Sequence, residues 1–200
     1  MEKTFYSQFG EDRWIYKNFT QKTDGVFVDV GAGDPKHLSN SYFFEKLGWN
    51  VLCIDADSRQ IEKLKEERKN VVKAVIYDTT PVYFKQEKLD LSRICKTNED
   101  NSIRIETKTL ERVLKAQSIG KIDILSIDVE GAEINVLKSF DIRKHSPEIM
   151  IIEFNTLGVQ RDKEIKQYLS AWPEYKEVKR LGANLIFAKE KQMKKIAIKI

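Results

Sequence analysis

Phe27-Val-Asp-Val-Gly-Ala-Gly-Asp-Pro35 is the stretch that decides the fold. Its first four residues are an apolar run bounded by Gly25 and Gly31. A short β-branched run stopped by glycine reads as a buried strand that ends in a tight turn. The pattern recurs at Val51-Leu-Cys-Ile54, Val71-Val-Lys-Ala-Val-Ile76, Ile122-Asp-Ile-Leu-Ser-Ile127 and Glu148-Ile-Met-Ile-Ile-Glu153. Between the runs, apolar residues fall at helical spacing. Leu38, Tyr42, Phe43 and Leu47 form one such set, and Ile61 with Leu64 a second. Leu110, Val113 and Leu114 form a third, Ile134 with Leu137 a fourth, and Ile165, Tyr168 and Leu169 a fifth. Asp57 followed by Gln60 predicts a capping box, and Gly48 and Gly120 predict helix ends. Strand–helix alternation of this kind predicts a doubly wound α/β sheet with right-handed crossovers. Tyr175–Lys179 and Leu185–Ala188, around Gly182-Ala-Asn184, predict a hairpin that makes the sheet edge antiparallel.

The rest of the chain fits one domain over residues 1–190. Residues 1–24, with an amphipathic segment near Glu11–Phe19, form an N-terminal helical cap. Residues 85–102 are the most polar and irregular, a candidate loop or insertion near a site, with Pro81–Phe84 and Ile103–Thr107 as strands that could pair around it. Hydrophobic residues are 41% of the 200, and only 9 Gly and 4 Pro occur, which excludes collagen-like and disordered classes. No apolar run approaches the roughly 20 residues that span a bilayer, and Met1–Phe5 lacks the apolar core of a secretory signal. Residues 189–200 hold five Lys against one Glu, the whole of the net +4, so residues 191–200 read as a basic tail on a neutral body. A neutral body makes nucleic acid an unlikely partner. Cys53 and Cys95 have no metal-ligand spacing, and free thiols fit a cytoplasmic location.

Candidate chemistry gathers at strand ends. Ligands of such sheets sit beyond the carboxyl ends of the strands, and Gly31 and Gly33 let a ligand approach the backbone there. Asp55, at the end of the second run and 24 residues beyond Gly31, suits the hydroxyls of a ribose. A third glycine for a pyrophosphate is missing, and Asp34 in its neighbourhood would repel one, which argues against an NAD(P)-dependent oxidoreductase. Asp29 points a further carboxylate toward the same turn. S-adenosylmethionine carries a sulfonium and an ammonium and no phosphate, so acidic residues suit it. Asp128, Glu130 and Glu133 end the fourth run, and Glu153 ends the fifth. Like charges so close are costly unless a cation or a proton-transfer task occupies the site.

Tyr6-Ser-Gln-Phe-Gly-Glu-Asp12, Phe27–Pro35, Leu47-Gly-Trp-Asn-Val-Leu-Cys-Ile-Asp55 and Leu125-Ser-Ile-Asp-Val-Glu-Gly-Ala-Glu-Ile-Asn-Val-Leu137 resemble FkbM-type S-adenosylmethionine-dependent methyltransferases. The resemblance runs from about residue 5 to residue 188, and the Asp128-Val-Glu-Gly-Ala-Glu133 block is its most specific part. It implies a seven-stranded, mostly parallel class I methyltransferase sheet, strand order 3-2-1-4-5-7-6, with strand 7 antiparallel. It also implies O-methylation of a hydroxyl on a sugar, glycan or small natural product by in-line methyl transfer. Carried over, Asp29, Gly31 and Gly33 line the methionine half of the cofactor, Asp55 the ribose, and Ile76, Tyr77 and Asp78 lie near adenine. Gln8, with Ser7, closes over the cofactor. Asp128 is the first choice of base, with Glu130 and His37 as further catalytic candidates. A hard ion such as Mg2+ on Asp128 with Glu130 or Glu153 is the alternative way to acidify the hydroxyl. His145 is expected in a surface loop. Two departures from the family pattern are Asp55-Ala-Asp57, where Glu-Pro-Asn is usual, and Asp34-Pro35, where Asp-Gly is common. The competing readings are a non-catalytic cofactor-binding protein of the same fold and a nucleic-acid methyltransferase.

Overall fold

Strand β1 (Val26–Val30) lies at the centre of the sheet, which is why it tolerates no polar residue but Asp29. In the computed structural model, which describes residues 3–19, 22–78, 80–85, 92–95, 101–156 and 158–192, it is flanked by two parallel neighbours. These are β2 (Asn50–Asp55) and β4 (Ile124–Ile127), and beyond them run β3 (Asn70–Lys73) and β5 (Ile149–Glu153). A hairpin of β6 (Tyr175–Leu181) and β7 (Asn184–Lys189) completes the sheet in the order β3-β2-β1-β4-β5-β7-β6. β7 is antiparallel to both β5 and β6. Order and antiparallel edge are those the resemblance implies. The order reverses between β1 and β4, the place where such sheets leave a crevice for ligands.

Alternation along β1 assigns its residues to two layers. Phe27 packs with Ile15 of α1 (Glu11–Asn18), Phe43 and Phe44 of α2 (Tyr42–Lys46) and Leu64 of α3 (Ser58–Glu67). Val28 and Val30 face the opposite core. There Leu114 of α4 (Leu110–Ala116), Leu137 of α5 (Glu133–Lys138), Ile142 of α6 (Ile142–His145) and Ile165 of α7 (Asp162–Leu169) pack. The N-terminal segment is tied across the chain: the buried Asn184 amide donates to Glu11 Oε1 at 2.8 Å.

Several local expectations change. The third apolar run divides: β3 stops at Lys73, and Val75–Ile76 leaves the sheet to pair with Thr107–Lys108. Leu38 is not helical; it is exposed, with φ 59, and α2 begins four residues later. Gly48, φ 102, does end α2, its N–H donating to Glu45 O. Gly120 does not end α4, because the helix stops at Ala116 and Ser118 takes the left-handed position. Asp57 caps α3 by accepting the Arg59 N–H at 2.9 Å. His145 lies in no surface loop. It ends the unanticipated α6, buried, with Nε2 2.8 Å from Glu111 Oε2 and Nδ1 2.7 Å from Gly120 O. The expected strands around the polar stretch do pair: Val82–Lys85 runs antiparallel to Ser102–Ile105, and Arg93–Cys95 adds to its other edge. Residues 86–91 and 96–100 of that stretch, and 193–200 of the basic tail, lie outside the described residues.

Candidate active site

A cavity of about 400 Å3 opens beyond the carboxyl ends of β1, β2, β4 and β5. Gly31 makes that crevice possible, for a reason other than ligand approach. A Cβ there would stand 2.7 Å from the carbonyl carbon of Asp128 and closer still to its oxygen. The glycine lets β4's end run against the turn while its own φ is 82. Its N–H and that of Ala32 donate to Ile54 O. Gly33 is different: φ 58, with no described residue within 4 Å of a Cβ. It leaves the cavity open.

Asp55 holds this turn. Its Oδ2 accepts the Gly33 N–H at 2.9 Å and its Oδ1 the Asp57 N–H at 2.8 Å. Burial pushes its carboxyl above the ordinary range, against those backbone donors, which lower it. Ile54, Val75 and Ile76 supply an apolar wall beside it, and Phe84 and Ile94 of the small three-stranded sheet supply another, with Ser92 just before the strand that carries Ile94.

At the β4–β5 end the cavity turns acidic. Asp128, Glu130 and Glu153 can each bring an oxygen within 4.8 Å of the others. Burial, then the charges of Glu153 and Glu130, push the Asp128 carboxyl well above its usual range. Burial, then Glu153 and Glu133, raise Glu130 to about 7. Glu130 also has φ 54, a left-handed backbone for a non-glycine residue, followed by Gly131 at φ 104. Such outliers gather where surrounding structure holds a functional group in place.

The geometry sorts the expected residues. Gln8, Gly31, Gly33, His37, Asp55, Ile76, Asp128, Glu130 and Glu153 all line the one cavity. His37 is exposed there, its backbone fixed by donation to Asp34 Oδ1 at 2.9 Å. Asp29, Tyr77 and Asp78 do not line it. Asp29 is two residues short of the turn, so the pleat turns its side chain into the α1–α3 layer. There it bonds Ser41 and Ser126, faces Arg68, and is raised above its usual range by burial. Asn40 also reaches Ser126, so this buried network anchors the loop after Gly33 to β4. Tyr77 follows the chain out of the sheet, its N–H on Lys108 O, and Asp78 caps its own turn by accepting the Thr80 N–H. Phe84, Ser92 and Ile94 were foreshadowed only as an insertion near a site. Phe9 stood inside the Tyr6–Asp12 motif and Ala183 inside the predicted hairpin turn, but neither was assigned a role at the site.

The model of the FkbM methyltransferase domain matches residues 29–181. The chain belongs to this family. It is an S-adenosylmethionine-dependent methyltransferase. Among solved structures, a TehB-like SAM-dependent methyltransferase from Corynebacterium glutamicum is similar at 13% identity and TM-score 0.51, over 91% of this chain and 88% of that one. A protein described as an rRNA methylase from Clostridium thermocellum is similar at 11% identity and TM-score 0.51, over 93% of this chain and 97% of that one. At such identities the likeness is one of fold. A comparison with curated proteins finds no matching sequence. The residues fit the family's cofactor: a carboxylate at the end of β2, an unfilled glycine, apolar walls beside them and, among the described residues, no Lys or Arg in the cavity lining. Among the described residues no helix is long and apolar enough to cross a membrane.

Proposed function

We propose that this FkbM enzyme methylates a hydroxyl oxygen of a sugar, glycan or small natural product, with Asp128 and Glu130 managing the proton. The observation that carries the reading is the crowding of Asp128, Glu130 and Glu153 at one end of a cavity whose other end carries Asp55. When bound, S-adenosylmethionine supplies a methyl group already activated on sulfur. This chain's part is to bind, align and deprotonate. Gly33 and Asp55 hold the methionine-to-ribose stretch, and Ile76 with Ile94 the apolar base. A hydroxyl is a poor nucleophile until its proton is shared, and a carboxylate near neutrality is matched to that task. Glu130, at about 7, is such a group. Asp128, held between Glu130 and Glu153, can pass the proton on within the cluster. Fixing the acceptor oxygen in the attack geometry supplies most of the rate, because the donor needs no activation. His37, exposed at the mouth, is the remaining base candidate.

The same three carboxylates would suit a hard divalent ion such as Mg2+, which takes oxygen ligands. It would acidify the hydroxyl in place of a protein base. A nucleic-acid acceptor is disfavoured by the absence of Lys and Arg among the described residues that line the cavity. Cys53 and Cys95 are buried and form no disulfide, in keeping with a reducing compartment such as the cytoplasm.

The test is mass spectrometry of hydroxyl acceptors incubated with the enzyme and S-adenosylmethionine bearing a deuterated methyl. Label in an ether that survives mild hydrolysis is expected. Asp128→Asn should lower turnover about 10²–10⁴-fold with cofactor affinity little changed. Dependence on added Mg2+, abolished by a chelator, would assign the carboxylates to a metal. Label on nitrogen or carbon, or wild-type turnover in Asp128→Asn without metal dependence, would refute the proposal.

A further inference from the structure

The cavity rim continues past the carboxylates onto the N-terminal segment. Glu153 is paired with Asn184, and Phe154 N–H donates to Ala183 O, so the β6–β7 turn stands beside the acidic cluster. On that turn rests Phe9. A Cβ at Gly182 would come within 2.5 Å of Phe9 Cδ1, so the ring uses the space the glycine leaves. Yet Phe9 is 40% exposed and lines the cavity. One part of the ring is backed by the hairpin and another is presented.

Leu38 is its counterpart. It is 48% exposed, lines the same cavity and has φ 59. A bulky non-glycine side chain is an outlier in that conformation. The backbone bridge from Leu38 to Ser7 holds it there, two residues from Phe9. Ser7 in turn donates to Asp12 Oδ1 at 2.6 Å, and Phe9 N–H donates to Glu11 Oε2 at 3.0 Å. Two exposed apolar side chains, each on a fixed backbone and both at the site, mark a surface kept for a ligand.

Their position says which ligand. Asp55 belongs to β2, whereas Phe9 stands by β7, four strands along the order. At about 5 Å per strand they occupy opposite ends of the site. The charge pattern narrows the class. The ionisable groups of the lining are Asp34, Asp55, Asp57, Asp128, Glu130 and Glu153, with His37. Among the described residues no Lys or Arg lines the cavity, and Arg59 at its edge is already paired with Asp57.

We infer that Phe9 and Leu38 are acceptor-binding residues: they take the apolar C–H face of an uncharged ring, one of whose hydroxyls reaches the Asp128–Glu130 end. The inference rests on the reading of that end as the place of methyl transfer. On the described lining it favours uncharged acceptors over nucleotide-linked, phosphorylated and uronate ones.

The experiment uses the full chain saturated with S-adenosylhomocysteine, which holds the cofactor site without turnover. Dissociation constants are measured by saturation-transfer NMR for a panel of methyl pyranosides, for sorbitol as an acyclic polyol and for glucose 6-phosphate. Wild type is compared with Phe9→Ala and Phe9→Tyr, and S-adenosylhomocysteine affinity is measured for each. Pyranosides should bind wild type and Phe9→Tyr, and should bind Phe9→Ala about tenfold more weakly, as loss of a central aromatic contact requires. Sorbitol and glucose 6-phosphate should bind wild type more weakly than the pyranosides. S-adenosylhomocysteine affinity should hold in all three proteins. Unchanged pyranoside affinity in Phe9→Ala, equal binding of the phosphorylated sugar or of sorbitol, or no pyranoside binding at all would overturn the inference. So would a parallel loss of S-adenosylhomocysteine affinity, which would assign Phe9 to the cofactor. Failure of wild type to bind S-adenosylhomocysteine would instead overturn the methyltransferase reading itself.

Discussion

Gly31→Ala and Gly33→Ala are the same chemical change two residues apart in one turn, and the structure separates their effects. Both positions have positive φ, 82 and 58. An L side chain there costs about 1–2 kcal/mol in backbone conformation alone. At Gly33 that is the whole cost, because no described residue lies within 4 Å of the added methyl. At Gly31 the methyl would press on the main chain of Asp128, which cannot swing aside as a side-chain tip could. Asp128 N–H is bonded to Val30 O at 2.9 Å, so β4 is fixed against the turn it would have to leave. Forcing a methyl into such a packed contact adds about 1–3 kcal/mol, for a sum of about 2–5 kcal/mol. At about 2–4 °C per kcal/mol for a chain of this size, Gly31→Ala should lower the melting temperature by about 4–20 °C. Gly33→Ala should lower it by about 2–8 °C on the same scale. Binding should follow the other order, because the Gly33 methyl enters the cavity's open space. Per folded molecule, Gly33→Ala should lose S-adenosylhomocysteine affinity while retaining most of its stability. The checks are scanning calorimetry without ligand and titration calorimetry at low temperature. Equal melting-point losses, or Gly33→Ala that binds as wild type, would refute the assignment of Gly31 to strand packing and Gly33 to the ligand.

Asp55→Ala should weaken S-adenosylhomocysteine about 10- to 150-fold, the worth of about 1.5–3 kcal/mol for a charged acceptor. It should also soften the turn that Asp55 holds through Gly33 and Asp57, visible as faster amide exchange at both N–H groups. Activity as a function of pH should rise as pH climbs through about 7, because Glu130 accepts a proton only when ionised. Glu153→Gln removes a neighbouring like charge that raises Glu130, so the rise should move to lower pH; an unmoved rise would take Glu130 out of the base role. The same shift has a stability sign. A carboxyl raised in the folded state contributes stability fully below its unfolded value near 4.5 and loses it as pH rises through about 7. Glu130→Gln should therefore gain melting temperature relative to wild type at pH 8 and little at pH 4, and a gain of equal size at both would contradict the crowding.

What the sequence could reveal follows from how each residue is held. β1, β2, β4 and β5 were legible because a strand buried on both faces is an apolar run, whereas β3, half-exposed at the sheet edge, was legible only from its short Val71-Val72 pair. Asp55, Asp128 and Glu153 were legible because a carboxylate that ends an apolar run has only the rim to occupy. Asp29 obeys the opposite rule. It lies inside its run, where the pleat and not the turn sets its direction, and a period of two turns it into the α1–α3 layer toward Ser41 and Ser126. Proximity to Gly31 along the chain therefore misplaces it by one face of the sheet. His145 was misplaced for a related reason. Its partner Glu111 is 34 residues away on another helix, and no local pattern announces a buried pair. The small sheet over the cavity and Phe9 on Gly182 are contacts of the same distant kind. Each depends on a loop path that alternation and periodicity leave open. The fold is thus written in runs, which single residues report. The chemistry that chooses an acceptor is written in pairs, Phe9 with Gly182 and Leu38 with Ser7, which only the folded chain brings together.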